Sequence, residues 1–158
     1  IELQPNHSDA YNQRGLLYEI SGENAKALID FNKAIGYNTN HIDAYYNRGC
    51  LKKNFGDLEG ALEDFSKAIN LNPSYARAYI LRAGIIGFNL EDQLKDYPRA
   101  IADLNKAIEL EPANAMAYFL RGGCKASNSQ IKGACLDWEA AYELGEVRAY
   151  DLIKEYCQ

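Results

Sequence analysis

One six-residue string returns four times along this chain. AYNQRG at residues 10–15 comes back as AYYNRG at 44–49, AYILRA at 78–83 and AYFLRG at 117–122. A second string follows each copy: ALIDFNKAI at 27–35, ALEDFSKAI at 61–69, AIADLNKAI at 100–108 and ACLDWEAAY at 134–142. The first two copies are 34 residues apart. A fixed period of this length means that the chain is built from small units. Each is too small to bury its own apolar face, so neighbours must stack. Within a unit the apolar residues recur at helical spacing, no segment alternates apolar and polar residues over a strand's length, and Pro is scarce at 4 of 158 residues. The reading is all-helical, with two antiparallel helices per unit.

The residue types at each register say how the helices meet. Each first helix carries a large aromatic (Tyr11, Tyr45, Tyr79, Tyr118) and then a small residue (Gly15, Gly49, Ala83, Gly122). Each second helix carries Ala27, Ala61, Ala100 or Ala134, then Phe31, Phe65, Leu104 or Trp138, then Ala34, Ala68, Ala107 or Ala141. Small residues let two backbones approach, and large ones fill the gaps between helices. Gly22 and Gly56 stand between the helices of the first two units, where a helix end favours Gly. Asp57 and Asp96 stand where a second helix needs an N-terminal cap.

On these residues the chain resembles the tetratricopeptide repeat family over nearly its whole length, in the manner of bacterial members. The resemblance implies an α-α superhelix, a tetratricopeptide (TPR) solenoid of four helix-turn-helix repeats plus a C-terminal capping helix. The repeats are laid out as 8–41, 42–75, 76–114 and 115–148, with the cap at 149–158. Pro73 and Pro112 close repeats two and three as the family's Pro does, whereas Thr39 and Glu146 depart from that rule.

The ends and the third repeat are read separately. IELQP at 1–5 repeats the endings INLNP at 69–73 and IELEP at 108–112. Residues 1–7 are therefore expected to end a preceding repeat, and the chain to be a fragment. Residues 147–157 are amphipathic, with Val147, Tyr150, Leu152, Ile153 and Tyr156 available for burial, as a terminal cap requires. Repeat three is about five residues too long, with the excess between its helices near 90–96. It is expected to be a longer helix pair or a tolerated loop; the sharper reading is a lip that touches a partner.

A charge pair recurs. Arg14, Arg48, Arg82 and Arg121 share one register of the first helix, and Asp30, Asp64, Asp103 and Asp137 share one of the second. An antiparallel hairpin brings the two to similar heights, so structural Arg–Asp bridges are expected within a repeat or across a repeat boundary.

Reaction chemistry is not signalled. There is no phosphate-binding Gly-rich loop, no HExxH and no nucleophile elbow. His7 and His41 share one linker register, which suggests a turn role and not a metal pair. Cys50, Cys124, Cys135 and Cys157 form no CxxC. They are expected to be small buried thiols; a disulfide among Cys124, Cys135 and Cys157 would imply an oxidising compartment. No catalytic residue, cofactor or metal is assigned. The net charge of −5 argues against nucleic acid as partner, since phosphate binding needs clustered Lys and Arg. No apolar run approaches a membrane span, and the compartment, cytoplasmic or periplasmic, stays open.

The family lines its inner groove with the first helices. The resemblance therefore implies a partner-binding groove at Asn12, Tyr46, Asn47, Cys50, Lys53, Arg77, Ile80, Gly84, Met116, Phe119 and Gly123. Gly84 and Gly123 are expected to leave room beside Ile80 and Phe119. Of the Lys, Asn and Arg set with which some members grip a C-terminal carboxylate, only Asn47 and Arg77 have counterparts, so that clamp is not expected. The function implied is a protein-interaction scaffold that binds a peptide or protein, not an enzyme. The alternatives are a regulatory or assembly appendage of a larger enzyme or envelope complex, or a self-association module.

Overall fold

The structure, a computed structural model, describes residues 8–89 and 95–157. The expected end of a preceding repeat at 1–7, with His7, and residues 90–94 of the expected insertion lie outside the described residues.

The described residues form α-helices joined by short turns. These are α1 (Ser8–Ile20), α2 (Asn24–Tyr37), α3 (Ile42–Asn54), α4 (Leu58–Leu71), α5 (Ala76–Gly84), α6 (Tyr97–Leu110), α7 (Ala115–Ser127), α8 (Ile131–Glu143) and α9 (Ala149–Tyr156). A π-helical turn, Ile85–Asn89, continues α5. The chain divides into two compact units, Ile1–Pro73 and Ser74–Gln158.

In the first unit α1 pairs with α2 and α3 with α4. Both pairs close on the same contact. A methyl group placed on Gly15 would lie 2.6 Å from the Phe31 ring, and one on Gly49 would lie 2.9 Å from Phe65. Phe31 and Phe65 are fully buried between alanines that are themselves fully buried. Burying such a ring is worth about 1.5–3 kcal/mol. The second unit repeats the contact at Gly122, where a methyl group would meet Trp138 at 2.5 Å. Its first pair differs, with Ala83 on α5 and the shorter Leu104 on α6, both fully buried.

The turns follow from their residues. Gly22, Gly56 and Gly145 take left-handed φ of 75°, 82° and 97°, each two residues past a helix end. Behind them the chain closes with the bond that characterises such a turn: Glu23 N–H donates to the Tyr18 carbonyl at 2.8 Å, and Asp57 N–H to Lys52 at 3.0 Å. Ser129 takes the same place after α7 with φ 60°. Asp57, Asp96 and Asn114 cap α4, α6 and α7 by accepting from Gly60, Arg99 and Ala117 N–H at 2.9, 3.0 and 3.1 Å. His41 caps α3: its Nδ1 accepts from Ala44 N–H at 3.4 Å, which leaves the proton on Nε2, 3.1 Å from an Asp9 carboxylate oxygen.

At the C-terminal end α9 lies against α8. Ala149 joins Ala134, Trp138 and Ala141 in one buried cluster, with Leu152 and Ile153 half-buried on it. A disulfide between Cys135 and Cys157 joins the two helices, with Cα atoms 5.7 Å apart. This corrects the expectation of four thiols. Cys135 sits on the α8 face that α9 covers, so the two side chains meet. Cys50 and Cys124 are free.

Candidate partner-binding site

The recurring charge pair forms the frame on which any binding face rests. Each Arg reaches its Asp through two nitrogens, at 2.6 and 2.9 Å for Arg14–Asp30, 2.9 and 2.6 Å for Arg48–Asp64, 2.8 and 2.7 Å for Arg82–Asp103, and 2.9 and 2.6 Å for Arg121–Asp137. All four carboxylates are buried. A paired, doubly hydrogen-bonded carboxylate is the form in which a buried charge is tolerated. Each guanidinium also lies over the Tyr three residues before it, at 5.3–5.7 Å from the ring centre. Arg48 and Arg121 extend the frame by donating to Asn32 and Asn105 of the preceding second helix at 2.6 and 2.7 Å. Lys52 and Lys125 add a second cation to Asp64 and Asp137 at 3.0 and 2.8 Å.

Around this frame the expected groove residues fall into different environments. In the first unit Asn12 is buried and accepts a hydrogen bond from the Asn47 side-chain amide at 3.0 Å. Asn47 is thus engaged within the protein. Tyr46 is half-exposed, its ring 5.9 Å from that of Phe65, and Cys50 and Lys53 are half-exposed on the same helix. Burial pushes the Cys50 thiol up to about 11, so it stands neutral at pH 7.

In the second unit Arg77 and Met116 are exposed, Gly84 and Phe119 are half-exposed, and Ile80 is buried. Ile80 is therefore core. Space at Gly84 is open, with nothing within 4 Å of where a methyl group would stand. Space at Gly123 is not: the tip of the Phe88 ring lies 2.9 Å from that point. The π-helical turn carries Phe88 onto α7 at that point, and the room beside Phe119 lies in a hollow that Phe88, Phe119 and Gly123 all line. Arg148 covers Phe119, its guanidinium 4.8 Å from the ring centre and 3.6 Å from the Met116 sulfur. Neither Phe88 nor Arg148 was in the expected groove, since neither stands at a repeated register. Burial pushes the Cys124 thiol up to about 12.

Among the described residues no group of three His, Cys, Asp or Glu stands so as to hold a metal, and no helix is long and apolar enough to cross a membrane.

Paired helices closing on a small–large contact, with one buried Arg–Asp pair each, define a helical-repeat protein. Sequence profiles agree: tetratricopeptide repeat profiles match residues 42–75, 1–29 and 88–149. The chain belongs to the tetratricopeptide repeat family, and its fold is that family's α-α superhelix class. Among solved structures it is similar to MamA (24% identity, 93% of this chain and 83% of that one, TM-score 0.80). It is also similar to Pseudomonas aeruginosa PilF (21% identity, 94% and 68%, TM-score 0.77). A third is the first TPR of Spaghetti (RPAP3), solved bound to the HSP90 peptide SRMEEVD (21% identity, 82% and 98%, TM-score 0.71). At these identities the likeness is one of fold. No curated protein sequence matches the chain.

Proposed function

We propose that this chain is a protein-interaction scaffold that binds a peptide or protein through exposed side chains of its first helices, α1 and α3 in the first unit and α5 and α7 in the second. Tetratricopeptide proteins mediate protein–protein interactions, and their fold serves in general as a non-catalytic scaffold. One observation supports the reading for this chain. Packing is satisfied by the small, large and charged registers, yet Tyr46, Lys53, Arg77, Met116 and Phe119 are left half-exposed or exposed on the first helices. Side chains left partly open to solvent on a rigid frame are what a recognition surface needs. The repeats take the bounds 8–41, 42–75, 76–114 and 115–148 in this reading. The peptide would not be gripped by a carboxylate clamp, because Asn47 is engaged by Asn12.

The test is capture from the source cell's lysate by the parent chain and by Tyr46→Ala/Arg77→Ala/Met116→Ala, with circular dichroism confirming that the variant is folded. Ile80 stays untouched because truncating a buried side chain would report on stability. A protein held by the parent and released by the variant supports the reading; equal capture by both removes the binding from these residues.

A further inference from the structure

The second unit contains a cavity that the repeat pattern does not require. It measures about 480 Å³ and is bounded by Phe88, Phe119, Ile131, Trp138, Leu152 and Tyr156. Two of its walls exist only because this unit departs from the plain repeat. Phe88 comes from the π-helical turn, and Leu152 and Tyr156 come from α9. The size is that of a site for a side chain or small ligand.

The lining decides what can enter. Among the described residues no charged side chain borders the cavity. A charged occupant would give up its water with no described countercharge to replace it, and the walls are mainly aromatic and aliphatic, so the group that enters is apolar. At Ile131 and Tyr156 the cavity adjoins a second hollow of about 370 Å³, bordered by Lys132 and by both disulfide cysteines. Lys132 is exposed and has no ionic partner among the described residues, whereas Lys125 is held by Asp137. A cation beside an uncharged pocket favours an apolar group with a carboxylate next to it.

The α9 wall depends on its tether. Eight residues are too few for a helix to persist by itself. Only Ala149 of α9 is fully buried, and Tyr156 is exposed at its far end. The Cys135–Cys157 bond fixes that end against α8. A dithiol reductant that delivers two electrons and two protons would leave two thiols and free the end that carries Tyr156.

We propose that this cavity takes a large apolar side chain, Phe or Leu, of a partner peptide with an acidic residue beside it, and that the Cys135–Cys157 disulfide holds the site in shape. The proposal rests on the peptide-binding reading above and adds the chemistry of the partner.

Trp138 is the chain's single tryptophan and lines the cavity, so its fluorescence reads the site directly. The probe is the blocked peptide acetyl-Ser-Glu-Phe-Glu-Ser-amide, with one control replacing Phe by Ser and another replacing both Glu by Lys. The oxidised chain should show a saturable change with the probe. Each control peptide should bind at least about tenfold more weakly. Lys132→Glu and Cys157→Ser should each weaken the probe by a similar factor, as should reduction of the parent. Lys132→Glu is a surface change, so it keeps the test sharp if Cys157→Ser does not fold. No saturable change with the oxidised parent, equal binding of the Ser control, or unchanged affinity in Lys132→Glu overturns the proposal. Lysate capture separates it from the scaffold reading. A partner lost by the Tyr46→Ala/Arg77→Ala/Met116→Ala variant but kept by Lys132→Glu and by Cys157→Ser leaves the scaffold standing and removes the cavity.

Discussion

The two units share one set of rules and use them differently. In the first unit the small–large contact takes one form, Gly15 against Phe31 and Gly49 against Phe65, and both hairpin turns end on a left-handed Gly. In the second unit the same registers hold Ala83 and Leu104, both fully buried, and Gly122 against Trp138. Ser129 replaces the turn Gly, the first helix continues into a π-helical turn, and the last helix is tied by a disulfide. The difference teaches that the repeat constrains pairs of positions and not single ones. A methyl group gained at Ala83 is matched by a smaller side chain at residue 104. The departures with no such compensation, Phe88, Ser129 and the Cys135–Cys157 bond, gather near the cavity, where a broken local rule most often marks function.

The largest expected effect tests the charge frame that both units share. Asp64 answers two cations, Arg48 and Lys52, and is buried. Asp64→Ala should lose roughly 3 kcal/mol, because it strands two part-buried cations. Asp30→Ala should lose less, since Arg14 is 29% exposed against 18% for Arg48 and can turn to water. Tyr18 stands where the third repeat places Ile86 and the second and fourth place Lys52 and Lys125, which is why Asp30 meets no lysine there. Urea unfolding of both variants checks the order; equal losses would break the distinction between the copies.

Reduction of the disulfide should act on the second unit alone. The bond closes a loop of sequence separation 22, which corresponds to about 3 kcal/mol of unfolded-state restraint. Hydrogen exchange with and without reductant should show faster exchange in α8 and α9 and no change in α1–α4. Mass spectrometry after alkylation in denaturant should count two modified cysteines without reductant and four with it. Four in both conditions would remove the bond.

The fold was legible because it rests on registers that recur. Tyr11, Gly15, Ala27, Phe31 and their three counterparts repeat at fixed spacing, and so do the Arg and Asp of the frame. The face of the first helices was legible only by analogy, and burial sorts it: Ile80 is core, while Tyr46 and Phe119 are half-exposed at the same register. The cavity was legible only in part: Phe119, Gly123 and Trp138 were named from the repeat, whereas Phe88, Leu152 and Tyr156 occur once. Phe88 lies in a turn whose geometry no periodicity announces. Arg148 and Tyr156 follow the last repeat, and pairing Cys135 with Cys157 needs the register of α9 on α8.

A smaller effect tests the pairing rule itself. Gly49→Ala would push a methyl group against a fully buried Phe65 ring, costing about 1–3 kcal/mol. Phe65→Leu alone should cost a similar amount through the space it leaves. Together the two changes reproduce the Ala83–Leu104 solution, so the double variant should be more stable than the sum of the separate losses predicts. Thermal melts of the four proteins measure that coupling. Strict additivity would mean that Ala83 and Leu104 are not a compensated pair, and that the second unit tolerates its departures for another reason.

The smallest effect concerns Ser129, which holds φ 60° where Gly22 and Gly56 hold similar angles in the first unit. The turn is otherwise the same, with Gln130 N–H donating to the Lys125 carbonyl at 2.8 Å as Glu23 does to Tyr18. A residue with a Cβ in this region costs roughly 1–2 kcal/mol relative to right-handed backbone. Gly removes that cost but adds freedom to the unfolded chain, worth about 0.4–1 kcal/mol in the other direction. Ser129→Gly should therefore stabilise the second unit by about 0.5 kcal/mol, seen as a small rise in the urea midpoint at constant slope. A loss instead would show that the Ser129 side chain contributes something the first unit's glycines do not. With α8 beginning two residues on at Ile131, a cavity wall, that contribution would belong to the same end of the molecule as Phe88 and the disulfide.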